Sequence, residues 1–165
     1  MLHPEYCSQC GQKNVYEFID GSHRYHCIKC KSIHYENPKP TATIICTQGN
    51  SILLAKRALQ PAKGEWGLPG GFMELNETLE EAAQRELKEE TNLIGEVVQI
   101  ISTCSHYGTI FGDILLIGVE MKVSDYSVMK AGDDAAEVHF FDFDNLPDIA
   151  FYCHNKFINE YKSKI

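Results

Sequence analysis

Gly71-Phe72-Met73-Glu74-Leu75-Asn76-Glu77-Thr78-Leu79-Glu80-Glu81-Ala82-Ala83-Gln84-Arg85-Glu86-Leu87-Lys88-Glu89-Glu90-Thr91-Asn92-Leu93 holds seven glutamates against Arg85 and Lys88, a net of −5 in 23 residues. Thr78 followed three residues later by Glu81 fits a capping box, so a helix is expected to start there. Asn92 follows Thr91, where a residue tolerant of left-handed backbone closes a helix. At ~100° per residue, Ala82, Ala83 and Leu87 form one apolar stripe, which should face a core. Glu86 and Glu90 fall inside that stripe, one turn apart, and Glu89 flanks it. Glu80, Glu81 and Lys88 lie on the opposite side, as solvated i, i+4 partners do.

Two carboxylates on a packing face need an explanation. A buried anion costs several kcal/mol unless it is paired or bound to metal. Converging carboxylates suit a hard divalent cation such as Mg2+ or Mn2+. The geometry alone therefore predicts a cation site on this helix.

Outward from the helix, the chain divides. Residues 1–36 hold four of the seven cysteines and little aliphatic content. Cys7-Ser8-Gln9-Cys10 and Cys27-Ile28-Lys29-Cys30 are two C-x2-C knuckles separated by sixteen residues. Together they offer a tetrahedral four-sulfur shell suited to Zn2+. Four protein ligands leave no open position, so this zinc is expected to be structural and to supply folding free energy to a head too small for a core. His26 is a less regular alternative ligand. Asn37-Pro38-Lys39-Pro40 reads as a linker, which gives a zinc ribbon over 1–36 and a second domain over 37–165.

In that second domain, Thr41–Thr47 and Ser51–Ala55 flank a Gln48-Gly49-Asn50 turn and read as a hairpin. Gly64–Gly71 reads as a loop around Trp66. Val97–Thr103 and Ile114–Val123 read as strands joined by a loop that contains His106, Tyr107, Phe111 and Asp113. Val138–Phe143 is a last strand and Ile149–Tyr161 a terminal helix. The class is mixed α/β. Cys46, Cys104 and Cys153 sit among apolar residues and read as core.

The whole chain has 165 residues, 44% hydrophobic and 23% charged, with a net charge of −8. These values exclude wholesale disorder. No apolar run approaches the ~20 residues of a membrane helix. The first residues lack a basic stretch leading into an apolar one, so a cytoplasmic address with reduced thiols is expected. Acidity and a net of only +1 over residues 1–40 disfavour nucleic acid as a partner.

The segment Gly71-x5-Glu77-x7-Arg85-Glu86-Leu87-x-Glu89-Glu90-x-Asn92-Leu93 resembles the Nudix box, and every specified position matches except Asn92, where that family has glycine. Trp66-Gly67-Leu68-Pro69-Gly70-Gly71 is similar to the loop that leads into the box. A zinc ribbon followed by this box resembles the zinc-ribbon branch of Nudix hydrolases, which includes FAD-type and NADH-type diphosphatases. Leu59-Gln60-Pro61 and Phe141–Pro147 look closer to the FAD-type group. The S-Q-P-W-P-F-P-x-S motif of the NADH group is absent around Ser102–Ile114.

The resemblance implies an α/β/α sandwich around a mixed sheet and hydrolysis of a nucleoside diphosphate linked to a moiety X. FAD, ADP-ribose and NAD(H) lead as substrates, with a nucleoside monophosphate and X-phosphate as products. It implies catalytic Mg2+ or Mn2+ on Glu86, Glu89, Glu90, the Gly71 carbonyl and Glu137. It gives Arg85 the role of orienting Glu77, and Glu89 that of favoured general base, with Glu137 or metal-bound hydroxide as alternatives. Arg57 is a candidate for the phosphates, and Tyr107 and Phe111 for the base or X; solvated charge and hairpin packing are the competing assignments. The family is often dimeric, so a homodimer is compatible with it. Two other functions fit the same fold: a house-cleaning hydrolase of nucleoside triphosphates, and a non-catalytic ligand- or nucleic-acid-binding module.

Overall fold

The computed structural model describes residues 4–132 and 134–164, so Met1–His3 at the head of the expected ribbon, Asp133 and Ile165 lie outside the described residues. The cysteine-rich segment forms a three-stranded antiparallel sheet of β1 (Val15–Ile19), β2 (Ser22–His26) and β3 (Ile33–His34). The remainder supplies β4 (Lys39–Gln48), β5 (Ser51–Arg57), β6 (Trp66–Gly67), β7 (Gly70–Phe72), α1 (Leu79–Thr91), β8 (Gly95–Thr109), β9 (Gly112–Val123), β10 (Ala135–Asp142) and α2 (Tyr152–Lys162).

These strands make one seven-stranded sheet in the order β10-β5-β4-β9-β8, with β6 added to β5 and β7 to β4. β4 and β9 run parallel and the other pairs antiparallel, so the sheet is mixed. The central strands are apolar on both faces, as strands covered on both sides must be. Ile44 and Cys46 of β4, with Leu53 and Ala55 of β5, pack under Ala82, Ala83 and Leu87 of α1. Ile45, Ile52 and Leu54 point the other way, toward Cys153, Phe157 and Ile158 of α2. This is the expected α/β/α sandwich. Gly118 of β9 lets α2 sit close, since a Cβ there would lie 3.1 Å from the Phe157 ring. Cys46, Cys104 and Cys153 are buried in these two layers.

Four local expectations differ from the structure. The stretch read as a loop around Trp66 holds two short strands, β6 and β7, because Trp66–Gly67 pairs with β5 and Gly70–Phe72 with β4. The stretch expected as a loop between the third and fourth body strands is hairpin: β8 runs to Thr109 and β9 starts at Gly112. His106 pairs with Ile114, and only Ile110 and Phe111 lie outside the two strands. Slips at three places along β8 let it continue through polar residues. The expected linker is shorter than Asn37–Pro40, because Lys39 and Pro40 pair with Ile114 and Leu115 at the start of β4. The last helix starts at Tyr152, since Ile149 bridges Trp66 and Ala150 donates its N–H to the Trp66 carbonyl.

Candidate active site and metal centres

Each knuckle is built by its backbone. Gly11 donates its N–H to the Cys7 carbonyl at 2.9 Å, and Lys31 donates to the Cys27 carbonyl at 2.8 Å. Both turning residues have positive φ, 71° at Gly11 and 65° at Lys31. Cys7 Sγ then lies 3.5 Å from Cys30 Sγ, and Cys10 Sγ 3.5 Å from Cys27 Sγ. The four sulfurs all fall within 4.8 Å of one another. Ser32 Oγ, 3.1 Å from Cys30 Sγ, leads the interactions that bring that thiol down to about 6. A tetrahedral thiolate shell is the chemistry this set suits. His26 is not among the four; its ring pairs with Glu17.

The second centre is α1 and the loop that precedes it. Thr78 and Glu81 form the capping box, and Asn92 closes the helix at φ 59°, ψ 10°. Asn92 also donates to the Val128 carbonyl at 2.7 Å and accepts from Lys88 Nζ at 2.7 Å, two bonds glycine does not make. Ala82, Ala83, Leu87 and Thr91 are the buried positions, and Glu86 projects beside them with a side chain 12% exposed. Glu89 lies on the flank, 43% exposed.

Arg85 is the hub. Its Nε and Nη2 grip the two Glu77 oxygens at 3.1 and 2.7 Å. Nη1 reaches Glu86 Oε1 at 2.7 Å and Glu89 Oε2 at 3.0 Å, while Nη2 also donates to the Phe72 carbonyl at 2.9 Å. A guanidinium fork offers this many donors in one plane, which an ammonium does not. Arg85 and the Glu74 N–H together hold Glu77 below the usual carboxylate range.

Glu86 and Glu90 are shifted the other way. Burial pushes Glu86 up in spite of Arg85. Burial, and then the Glu86 charge, push Glu90 up to about 8, against the Gly70 N–H at 3.3 Å and the field of Arg57. Among the described residues no ion pair reaches Glu90. Gly71 adds a cradle: a Cβ there would lie 2.5 Å from Glu86 Oε1, so only glycine brings its backbone this close to the acid. An under-compensated pair of half-buried carboxylates beside bare backbone fits a hard oxygen-bound cation. Unlike the four sulfurs, these acids do not gather three ligand atoms within 4.8 Å, and Arg85 pairs with Glu86 and Glu89.

The other expected site residues are dispersed. Glu137 sits on β10 opposite Lys56, which it binds at 2.8 Å, with His139 at 3.5 Å. Arg57 ends β5, donates to the Pro61 carbonyl and shares a narrow cleft with Glu90, Asp134 and His154. Tyr107 is 71% exposed on β8, away from that cleft. Phe111, in the β8–β9 turn, packs edge-on against Phe72 with ring centroids 5.3 Å apart.

Two cleft residues had no sequence signal. Asp134 follows a loop tied to α1 through the Gly132 N–H and the Glu90 carbonyl. His154 is a lone histidine in the terminal helix. It is buried, accepts the Leu68 N–H on Nδ1 at 3.0 Å and is pushed down to about 3 by burial. Gly67 makes room for it, since a Cβ there would lie 3.0 Å from that nitrogen. His154 thus pins the loop whose next residues, Gly70 and Gly71, face Glu90 and Glu86.

Comparisons with known proteins agree with this geometry. Residues 37–161 match the family model described as NUDIX domain, and residues 5–36 match the one described as Nudix N-terminal. A protein of Methanocaldococcus jannaschii named ADP-ribose pyrophosphatase is 42% identical over 135 residues, covering 77% of this chain and 75% of that one. A Vibrio atlanticus protein named NAD-capped RNA hydrolase NudC is 26% identical over 148 residues, 88% of this chain; the chain spans about half, 52%, of that relative. A solved structure of a NUDIX hydrolase from Nitrosomonas europaea has a TM-score of 0.85 at 35% identity, covering 97% of this chain and 91% of that one.

Proposed function

This chain belongs to the NUDIX family of hydrolases, and from that premise we propose that it cleaves the diphosphate of a nucleoside diphosphate linked to X. ADP-ribose leads as substrate, because a relative 42% identical over about three quarters of both chains is named for it; FAD and NAD(H) follow. The observation that carries the proposal is the pair of half-buried acids, Glu86 and Glu90, on the packing face of α1, both pushed toward protonation by their surroundings. Residues 1–36 act as a zinc-stapled ribbon ahead of the hydrolase body.

Glu86, Glu90, the Glu89 carboxylate and the Gly71 carbonyl would hold Mg2+ or Mn2+, which offsets phosphate charge and makes bound water acidic. Arg85 ties Glu77, Glu86 and Glu89 to one guanidinium, so the acids stay placed while substrate charge changes. Water forms a new bond to one phosphorus, the bridging P–O bond breaks, and the leaving phosphate keeps the electron pair. Glu89, the most exposed of the three helix acids by its side chain, accepts the proton of that water. Arg57 faces the phosphates from the end of β5. Glu137, bound to Lys56 and His139, takes part only after those pairs open. From ADP-ribose the products are AMP and ribose 5-phosphate.

The assay is product analysis with ADP-ribose, FAD and NADH, each with Mg2+ and Mn2+. Two monophosphates support the proposal. Pyrophosphate release from nucleoside triphosphates, with no cleavage of these three, contradicts it.

A further inference from the structure

A cavity of about 350 Å3 lies where the ribbon meets the body, lined by Tyr16, His23, Arg24 and His34 from the ribbon and by Phe111 and Asp113 from the β8–β9 turn. Its size falls in the range of ligand pockets, roughly 300–1,000 Å3. Its ribbon wall is a cluster of rings: the Tyr16 centroid is 5.5 Å from that of His23 and 4.7 Å from that of Tyr25. The rings are not sealed into a core, as Tyr16 is 59% exposed. Arg24 stacks its guanidinium 4.6 Å over Tyr35, yet its Nε and the His34 Nε2 are buried with no hydrogen-bond partner among the described residues.

Two contacts tie this cavity to the acid site. Phe111, on its body side, packs against Phe72, whose carbonyl is held by Arg85. Pro40, next to the lining residue Lys39, accepts the Met73 N–H at 3.1 Å. The cavity therefore opens one aromatic pair away from the Gly71 loop. Its charges cancel, Arg24 and Lys39 against Glu36 and Asp113, which suits a neutral ring better than another phosphate.

We propose that this cavity receives the planar heteroaromatic group on the X half of a dinucleotide substrate, so that the ribbon selects substrate as well as folding on its zinc. The proposal rests on the hydrolase reading. It distinguishes substrates that carry a second ring, such as NADH and FAD, from ADP-ribose, whose X half is a sugar phosphate.

The test is steady-state kinetics of the full chain and of Tyr16→Ala and His23→Ala, neither a zinc ligand, on all three substrates. Tyr16→Phe keeps the ring and serves as the conservative control. The expected result is a rise in KM of about tenfold for NADH or FAD, the size of a lost stacking contact. KM for ADP-ribose, zinc content and Tm stay unchanged, and Tyr16→Phe behaves as wild type. No change with any substrate overturns the proposal, as does an equal rise with ADP-ribose, which would place the shared adenosine in the cavity. If wild type cleaves none of the three, the hydrolase reading fails by itself. Titration with FMN and NMN then decides the cavity: binding weakened by Tyr16→Ala supports it, and absence of binding overturns it.

Discussion

The ribbon and helix α1 both collect metal-binding side chains, in opposite ways. In the ribbon two backbone turns, each closed by an N–H to a cysteine carbonyl, bring four sulfurs within 4.8 Å. On α1 the acids are spaced by helical geometry and restrained by Arg85, and they do not converge by themselves. A set assembled by its own backbone is complete and closed, which suits a structural ion. A set restrained by an arginine, with half-buried carboxylates pushed toward protonation, keeps unspent attraction for cations. The contrast teaches that closure marks stability and incompleteness marks chemistry.

The sharpest break between the two regions is zinc removal. Structural zinc supplies about 10 kcal/mol or more in small modules. Chelation, or Cys7→Ser, should unfold residues 5–36, seen as lost amide-exchange protection there, while the α1–β4 core keeps its protection. Loss of protection throughout would mean that the two regions are one cooperative unit.

Glu90→Gln is the next largest effect and the opposite kind. Metal-ion stabilisation of a transition state is worth several kcal/mol, so kcat should fall on the order of 10³-fold. Zinc content should not change. Because the folded Glu90 titrates near 8, its ionised form opposes folding as pH rises past its ordinary value of 4.5. Metal-free Glu90→Gln should therefore unfold at or above the wild-type temperature at pH 9.

Arg85→Lys comes third. A lysine keeps the charge and loses the fork that holds Glu77 through two bonds. Activity should fall roughly 10- to 100-fold, as when a group that orients a ligand is lost, with Tm nearly unchanged by differential scanning calorimetry.

The smallest effect is a slope. His154 stays neutral in the folded protein down to about 3, whereas unfolded histidine takes its proton near 6.5. Its contribution is full above about 6.5 and is lost as pH falls toward 3, because protonation then favours the unfolded chain. Urea unfolding across that window should show this loss in wild type and a flatter dependence in His154→Asn. Equal slopes would contradict the burial assigned to His154.

What the sequence disclosed follows the same divide. Local devices were readable: the capping box, the left-handed exit at Asn92, the Ala82–Ala83–Leu87 stripe and the paired knuckles each need only residues a few positions apart. The Gly49 turn between β4 and β5 was readable for the same reason. Features made by distant segments were not. His154 lies 86 positions from the Leu68 N–H it accepts, and nothing near it in sequence marks that role. The β8–β9 hairpin lacked an Asn-Gly signal, its tight turn being reached through Gly108 and Gly112 at positive φ. Lys31 closes the second knuckle in a conformation where the first uses Gly11, so composition alone understated their likeness.

Mn2+ titration of zinc-loaded protein, followed by electron paramagnetic resonance in wild type, Glu86→Gln and Glu90→Gln, tests the central claim most directly. The account predicts binding in wild type that weakens at least tenfold in each variant while the four-cysteine zinc stays in place. Equal Mn2+ affinity in all three proteins would contradict it.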